Sequence, residues 1–144
     1  MHPIGHVHTD VTDPATAANQ ASQGSAMTGR IVLDDELADG LLGLDRYRWL
    51  WLLTWLHEQP DGPPPLQLVP MATAATGEVQ GVFASRAPHR PNPIGLSLVE
   101  LVGIDGTVIT FRGVDVVDGT PVLDIKPWFA DCDLPLPEDD EPAS

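Results

Sequence analysis

The sequence predicts a mainly β protein, a small antiparallel β-barrel with one or two short helices. After Gly95 the branched apolar residues recur in alternating runs, which is typical of half-buried strands. Asp-Gly pairs at 105–106 and 118–119 interrupt these runs, and such a pair indicates a hairpin because glycine accepts the positive φ of the turn. No part of the chain supplies enough helical pattern to cover a parallel sheet.

The first half of the chain adds short elements to this core. Residues 4–9 and 30–33 read as strands, and acids in the first turn of 34–44 favour a short helix there. The intervening 10–28 has the composition of a long loop, and long loops in compact domains tend to be functional or disordered. Residues 46–57 are apolar on both faces, and their aromatic and branched content favours a buried strand over a helix.

The chain is strongly acidic, with 21 acids against seven Lys and Arg residues and a formal net charge of −14. Such a surface repels phosphate backbones and anionic membranes, so cations, neutral molecules and basic peptides are the expected partners. An alternative is that the charge serves only solubility. The single Cys132 excludes an internal disulfide, and no signal-peptide pattern or membrane-length apolar run is present, so we expect a cytoplasmic protein.

At 144 residues the chain fits one main domain. We predict that residues 1–130 form the barrel domain. Residues 131–144 are acidic and contain prolines, which indicates a flexible tail.

The stretch GVFASRAPHRPNPIG, residues 81–95, indicates a rigid wall. Its prolines fix φ and lack an N–H, so the segment cannot enter a ladder throughout, and a preformed wall loses little entropy on binding. Arg86 and Arg90 are spaced so that either could reach a carboxylate with a bidentate fork, and Asn92 offers a donor and an acceptor. The alternative is a structural turn with solvated arginines.

A second stretch, DGTPVLDIKPW at residues 118–128, places a tight turn before a strand. Asp124 and Lys126 are two apart and therefore share a face, as a salt bridge or as part of a site for an anionic group. His6 and His8 have a spacing compatible with metal ligation, but no third ligand is evident nearby, which favours ordinary surface or core histidines and no metal site. Glycine-rich nucleotide loops and a Gly-x-Ser-x-Gly elbow are absent from the sequence.

Together, GVFASRAPHRPNPIGLSLVEL and DGTPVLDIKP resemble the TrmO-like family, also called YaeB- or TsaA-like. The resemblance extends upstream to IGHVHT and GLDRYRWLWLLTWLH, and so covers most of residues 4–128. It implies a small β-barrel, usually a homodimer with the pocket near the interface, that binds S-adenosyl-L-methionine (AdoMet). The implied activity is methyl transfer to N6 of threonylcarbamoyladenosine beside the anticodon of certain tRNAs.

The resemblance also implies the residues of the site. The cofactor-binding positions that it assigns are Asn19, Gln20, His57, Glu58, Arg86, Asn92, Leu96, Asp118, Gly119, Thr120, Pro121 and Lys126. The individual roles of Asn92, Asp124 and Lys126 are not assigned by their motifs. If the acceptor is a protonated amine, a base must also take a proton, and the candidate bases are Asp118, Asp124 and His57.

The chain departs from the family pattern where RNA would bind. The family's N-terminal loop carries a Pro-Arg-Gln triplet, and the matching positions here are Ala18, Asn19 and Gln20, in a loop without Lys or Arg. Each lost phosphate contact weakens RNA binding. We therefore expect an AdoMet-dependent methyltransferase whose acceptor is a small molecule or a peptide. The tRNA reaction is the alternative within the family, and a non-catalytic AdoMet sensor is the alternative outside enzymes.

Overall fold

The computed structural model describes residues 1–9, 28–113 and 116–135. In this part of the chain six strands close an antiparallel barrel in the order β1-β2-β7-β6-β3-β8. The barrel strands are β1 (Gly5–His8), β2 (Thr28–Leu33), β3 (Trp49–Trp55), β6 (Ile94–Asp105), β7 (Val108–Arg112) and β8 (Pro121–Pro127). Outside the barrel lie the two-stranded β4 (Gln67–Leu68) and β5 (Gln80–Gly81), the 3₁₀ helices Asp35–Leu41, Leu44–Arg46, Met71–Thr73 and Val82–Ala84, and the α-helix α1 (Ala130–Asp133).

The predicted fold class, an antiparallel barrel with short helices, is confirmed. The hairpin predicted at Asp105 and Gly106 joins β6 to β7, and Gly106 has the positive φ of 60° that its turn requires. The hairpin predicted at Asp118 and Gly119 is wrong, because β7 pairs with β2 and β6 whereas β8 pairs with β1 and β3. Barrel closure puts the last strand between the first and the third. The connection therefore crosses the barrel end, and the φ of 84° at Gly119 serves that crossing.

The segment 46–57 forms a strand as predicted, but it is buried on one face only. Leu50 and Leu52 point into the core, each 1% exposed, while Trp49 and Trp55 on the other face remain more than one-third exposed. The barrel explains the difference, because every strand of a closed barrel has one inner and one outer face. The helix predicted over 34–44 occurs as 3₁₀ turns.

Every barrel strand contributes to one apolar core. The strand β2 shows the pattern, since Ile31 and Leu33 are buried and the intervening Val32 is exposed. The buried core residues are Val7, Ile31, Leu50, Leu52, Val99, Ile109, Phe111, Val116, Val117 and Val122. None of the helices in the described ranges is long and apolar enough to span a membrane.

The barrel also carries a charge cluster centred on Glu100 of β6. Arg48 donates from Nε to Oε2 of Glu100 at 2.7 Å, and Arg112 of β7 donates from Nη1 to Oε1 at 2.5 Å. The Arg48 guanidinium also lies 5.4 Å from the ring centre of Trp49. The two hydrogen bonds, that from Arg48 first, hold the pKa of Glu100 below its ordinary value. This cluster joins the start of β3 to β6 and β7 and occupies two of the chain's few cations.

The predicted domain boundary at 130/131 falls at the first residue of α1 (Ala130–Asp133). Residues 136–144 lie outside the described ranges. The flexible tail from 131 onward therefore stays a prediction.

Candidate functional site

A large cavity of about 980 Å³ opens at the barrel end where β3 ends and β6 and β8 begin. Three segments meet there, 56–60 after β3, 85–97 before and within β6, and 116–120 before β8, with Met71 beside them. Because β3 and β6 are antiparallel neighbours, the end of one and the start of the other are adjacent in space. The volume falls within the range of small-molecule sites, about 300 to 1,000 Å³.

The proline-rich wall of this cavity is braced by its own side chains. Ser85 donates from Oγ to the Val82 carbonyl at 2.7 Å and accepts from the Ala87 N–H at 3.3 Å. Arg90 donates from Nη1 to the carbonyls of Ser85 and Ala87, at 2.9 and 3.2 Å. The rigid wall expected from the sequence is thus held by Arg90 as well as by the prolines, and the guanidinium of Arg90 is already partly used.

Arg86 differs from Arg90 in this respect. It lines the same cavity and is exposed, and among the described residues no hydrogen bond or ion pair engages its guanidinium. The sequence treated Arg86 and Arg90 as equivalent candidates for an anionic group. The structure separates them, because an arginine without a partner keeps its full bidentate fork for a ligand.

The crossing segment 116–120 forms the opposite wall. Thr120 is 1% exposed and donates from Oγ1 to the Val117 carbonyl at 2.7 Å. The Gly119 N–H donates to the Val7 carbonyl at 2.8 Å, and the Val7 N–H donates to the Thr120 carbonyl at 2.9 Å. These bonds attach the turn to β1. Val116, Val117 and Thr120 then face the large cavity.

At the end of β3 the chain presents a histidine and a carboxylate to the cavity. The Nε2 of His57 lies 3.8 Å from an Oε1 of Glu58, and both side chains are partly exposed. The Leu56 N–H donates to the Pro93 carbonyl at 2.7 Å, which holds this segment against the proline-rich wall. The rim therefore combines a group able to take a proton with a negative group.

The structure brings part of the predicted site together. His57, Glu58, Arg86, Asn92, Leu96 and Thr120 all line the large cavity. Asp118, Gly119, Pro121, Asp124 and Lys126 do not line it. Asn19 and Gln20 lie outside the described residues.

The positions of these remaining residues have clear structural reasons. Asp118 turns toward β1, where its Oδ1 accepts the Thr9 N–H at 3.0 Å, and it lines a smaller cavity. Asp124 and Lys126 form an ion pair of 3.1 Å between Oδ2 and Nζ, on one face of β8 as the sequence predicts. Of the three candidate bases, only His57 lines the large cavity. The functional roles of all these residues stay predictions.

Sequence reasoning did not identify several residues that line the cavity. Val116 and Val117 belong to a run that reads as an ordinary strand, and Met71 lies in a segment without a motif. Gly95 and Ser97 begin β6 and could have been found, because they directly follow the proline-rich stretch. Within the described ranges no group of three His, Cys, Asp or Glu side chains gathers in a way that would hold a metal ion.

The comparisons with known proteins all indicate the same family. Residues 6–134 match the model of the tRNA-methyltransferase O N-terminal domain family. The chain is 35% identical over 132 residues to a probable S-adenosyl-L-methionine-binding protein of Pyrococcus abyssi, covering 92% of this chain and 69% of the relative. It is 42% identical over 95 residues to the mouse tRNA (adenine(37)-N6)-methyltransferase, covering 66% of this chain and 22% of that protein. A crystal structure of TrmO superposes with a TM-score of 0.75 at 33% identity, and the match spans 94% of this chain and 60% of the TrmO chain.

Gly95 provides a test of how tightly the cavity is built. A Cβ at this position would contact the buried Oγ1 of Thr54 and lie 2.9 Å from Cδ2 of Leu56, a cavity residue. We predict that Gly95→Ala lowers the free energy of unfolding by about 1 to 3 kcal/mol, as overpacking does. Gly103→Ala in the same strand is the control, because nothing lies within 4 Å of its added Cβ.

Thr54→Ala tests the cause, since it removes the Oγ1 with which the new methyl would collide. Within the described part of the chain that hydroxyl has no hydrogen-bond partner. Denaturant unfolding of both single variants and the double variant should show Gly95→Ala to be less costly in the Thr54→Ala background. Strictly additive effects, or equal losses for Gly95→Ala and Gly103→Ala, would contradict this packing.

Proposed function

Because the chain belongs to the tRNA-methyltransferase O N-terminal domain family, we propose that it is an AdoMet-dependent methyltransferase whose cofactor binds in the large cavity. The observation that carries the proposal is Arg86, an arginine without a partner among the described residues, at an apolar cavity of about 980 Å³. The relatives named as S-adenosyl-L-methionine-binding proteins support the choice of cofactor.

The residues present fit AdoMet. Arg86 suits its carboxylate, Glu58 suits its cationic groups, and Leu56, Leu96 and Val117 give an apolar surface for its adenine. When bound, AdoMet would supply an electrophilic methyl group, whose transfer to an acceptor lone pair would break its bond to sulfur and release the thioether. The chain's own contribution is then to position the acceptor and to exclude water.

His57 is the residue that we assign to proton transfer. It lines the cavity, whereas Asp118 and Asp124 face elsewhere. Oε1 of Glu58 stands 3.8 Å from the Nε2 of His57. A neutral His57 can accept a proton from an amine acceptor, with Glu58 as the group that orients it.

The proposed cofactor site predicts an effect of Arg86 on AdoMet binding. Arg86→Ala should weaken AdoMet binding about 10-fold or more, because a charge-assisted bidentate contact contributes about 1.5 to 3 kcal/mol. Arg46→Ala is the matched control, since Arg46 is exposed and does not line the cavity. Isothermal titration with AdoMet measures both variants. Equal losses in the two would remove Arg86 from the site, and no binding by the wild type would end the proposal.

For the acceptor we propose a small molecule or a peptide, because few cations are available for phosphates. Arg48 and Arg112 bind Glu100, and Lys126 binds Asp124. Arg90 is partly used by its own loop. Among the described residues, the cations without such a partner are Arg30, Arg46 and Arg86.

Methylation of tRNA is a second candidate that a specific observation favours. Among the described residues the rim of the cavity carries two arginines, Arg86 and Arg90, against the carboxylate of Glu58, so it is locally positive in an acidic chain. In addition, a mouse protein similar to this chain is named as a tRNA (adenine(37)-N6)-methyltransferase. A few well-placed arginines can guide an anionic acceptor to such a rim.

Labelled AdoMet distinguishes these acceptors. The protein is incubated with the cofactor and either bulk tRNA or a small-molecule and peptide extract, at physiological salt. We predict transfer of label to the extract and not to tRNA, because the chain has few free cations to bind phosphates. Label in tRNA would overturn the small acceptor and establish the second candidate. AdoMet binding without transfer to either would instead indicate a sensor.

We also propose that the protein is a homodimer and that the dimer interface adjoins the cavity. An apolar stripe follows the outer faces of β3 and β6, where side chains pair across the strands. The pairs are Trp51 with Leu98, Leu53 with Leu96, and Trp55 with Ile94. Contiguous exposed apolar surface of this kind is typical of an interface. Leu96 and Ile94 also line the cavity, so a second copy on the stripe would lie beside the cofactor site.

Leu98 is the position at which to test the dimer, because it is on the stripe and does not line the cavity. We predict that Leu98→Asp halves the mass measured by sedimentation equilibrium, since a desolvated carboxylate at an interface is costly. Val32→Asp, at an exposed apolar position on β2, should leave the mass unchanged. A wild-type protein that sediments as a monomer at all concentrations would refute the dimer.

A further inference from the structure

Between β3 and β6 the chain leaves the barrel and forms a small lobe, residues 58–84, which contains the two-stranded sheet of β4 and β5. No residue of the lobe belongs to the apolar core of the barrel. Among the described residues β4 pairs only with β5, so each strand of this sheet has one open edge. An open edge presents backbone N–H and C=O groups with which another extended chain can pair.

The backbone of Gln67 faces the open edge of β4. The Val82 N–H donates to the Leu66 carbonyl at 2.9 Å, and Gln67 lies opposite Gly81 in the register. Hydrogen-bonded and non-hydrogen-bonded pairs alternate in an antiparallel ladder, so Gln67 and Gly81 form a pair of the second kind. Their backbone groups therefore point away from each other, toward the two open edges. Gln67 is exposed, and within the described ranges no backbone hydrogen bond outside the ladder engages it.

Prolines limit the length of this edge. Pro65 and Pro70 lie on either side of residues 66–69, and neither has an N–H to donate. Prolines at such positions protect an edge strand from the unlimited pairing that leads to aggregation. The edge of β4 therefore admits a short extended segment and not a further long strand.

The side chains around this edge are apolar and exposed. Leu66 and Phe83 are 67% and 79% exposed, although they directly flank the two strands. Val69 follows β4 and Val79 precedes β5, and both are also exposed. Apolar side chains on an added strand would find contacts here in addition to the backbone bonds.

The edge leads to the large cavity. Met71, which is exposed, lines that cavity and lies three positions after the end of β4. A chain of this length spans at most about 10 Å. A segment paired with β4 can therefore extend one of its residues to the mouth of the cavity.

The formal charge of the lobe is entirely negative. Glu58, Asp61 and Glu78 are exposed, and residues 58–84 contain no Lys, Arg or His. The first cation after the lobe is Arg86, at the wall of the cavity. A partner with positive and apolar side chains complements this surface, whereas a phosphate backbone is repelled by it.

We propose that the open edge of β4 binds the acceptor as an extended basic peptide, by addition of a strand to the sheet of the lobe. Backbone hydrogen bonds to Gln67 hold the peptide, and the acids of the lobe favour its cations. The inference rests on the proposed function, because it specifies the peptide class of acceptor. It requires no contact with Arg86 or with the cofactor.

The Gln67 amide is the reporter of strand addition. The ¹⁵N-labelled protein is titrated by NMR, without AdoMet, with the end-blocked peptides (Lys-Val)₃ and (Glu-Val)₃. We expect (Lys-Val)₃ to shift this amide saturably, to slow its hydrogen exchange and to bind at least about 10-fold more tightly than (Glu-Val)₃. The difference between the peptides should narrow as salt is raised.

The end-blocked peptide (Lys-Pro)₃ separates strand pairing from attraction between charges. It has the charge of (Lys-Val)₃, but its prolines lack the N–H groups of a pairing strand. We expect it to bind at least about 10-fold more weakly than (Lys-Val)₃ and to leave the hydrogen exchange of Gln67 unchanged.

Two proline variants assign the edge. Gln67→Pro removes the outward N–H of β4 and should weaken binding of (Lys-Val)₃ at least about 10-fold by isothermal titration. Gly81→Pro is the matched control, because it removes an N–H at the opposite edge and the φ of −68° at Gly81 already suits proline. It should leave the affinity unchanged. Unfolding curves show whether each variant keeps the fold.

A charge reversal tests the same edge without a change in the backbone. Asp61→Lys combined with Glu78→Lys should weaken binding of (Lys-Val)₃ and strengthen binding of (Glu-Val)₃. Glu36→Lys combined with Asp39→Lys is the control, since both acids are exposed and lie outside the lobe.

Several results would overturn the proposal. They are the absence of a saturable shift of Gln67 with (Lys-Val)₃, equal binding of (Lys-Pro)₃, and equal losses in the two proline variants or in the two charge reversals. An RNA stem-loop that protects the Gln67 amide and displaces the peptide would also refute it, because the edge would then serve RNA. A failure of AdoMet to bind the large cavity would defeat the proposed function alone, since the peptide would still protect Gln67.

Discussion

The crossing from β7 to β8 is the constraint on which both cavities depend. β8 must enter the barrel between β1 and β3, so residues 116–120 have to traverse one end of it. Paired backbone bonds between this segment and Val7 fix its position, and Gly119 supplies the left-handed conformation that the turn needs. Held by these bonds, the segment presents Thr120 to the large cavity and Asp118 to the small one. Barrel closure therefore creates the two cavities as a consequence of strand order.

The charged side chains of this molecule act mainly through specific local contacts. A net charge of −14 describes the whole chain, but most of its few cations are already committed to specific contacts. Glu100 alone engages two arginines, and the hydrogen bonds to it lower its pKa. Of the arginines that have no partner among the described residues, Arg30 and Arg86 each line a cavity. An arginine without a partner is therefore a stronger indication of a binding site for an anion in an acidic chain than in a basic one.

Much of the fold could be predicted, because it is encoded in local patterns. The alternation in β6, β7 and β8 and the turn at Gly106 are short-range signals, and the structure contains these elements. The partner of β8 is not a local property, and this is why the turn at Gly119 was taken for a hairpin. The exposed face of β3 was missed for a similar reason, since tryptophans are apolar whether they face a core or an outer surface.

The candidate site was predictable to the extent that its residues lie in long motifs. The stretch that contains Arg86, Asn92 and Leu96 does line one cavity, so these positions could be grouped from sequence. Asp118 and Thr120 are two residues apart in one motif but face different cavities, because a tight turn changes the direction of side chains. Spacing in a motif therefore assigned these residues to one site, and only the backbone path shows that they line two different cavities.

Leu96 connects the two features that the proposed function rests on. It is 51% exposed, belongs to the apolar stripe of β3 and β6, and also lines the large cavity. If a second copy covers this stripe, the wall of the cavity changes on dimerisation, and ligand binding and association become linked equilibria. Linkage is reciprocal, so a cofactor that binds the dimer more tightly than the monomer must strengthen the dimer by the same factor. If the proposed dimer and the proposed cofactor site both hold, the position of Leu96 at the edge of both surfaces makes the association state a determinant of cofactor affinity.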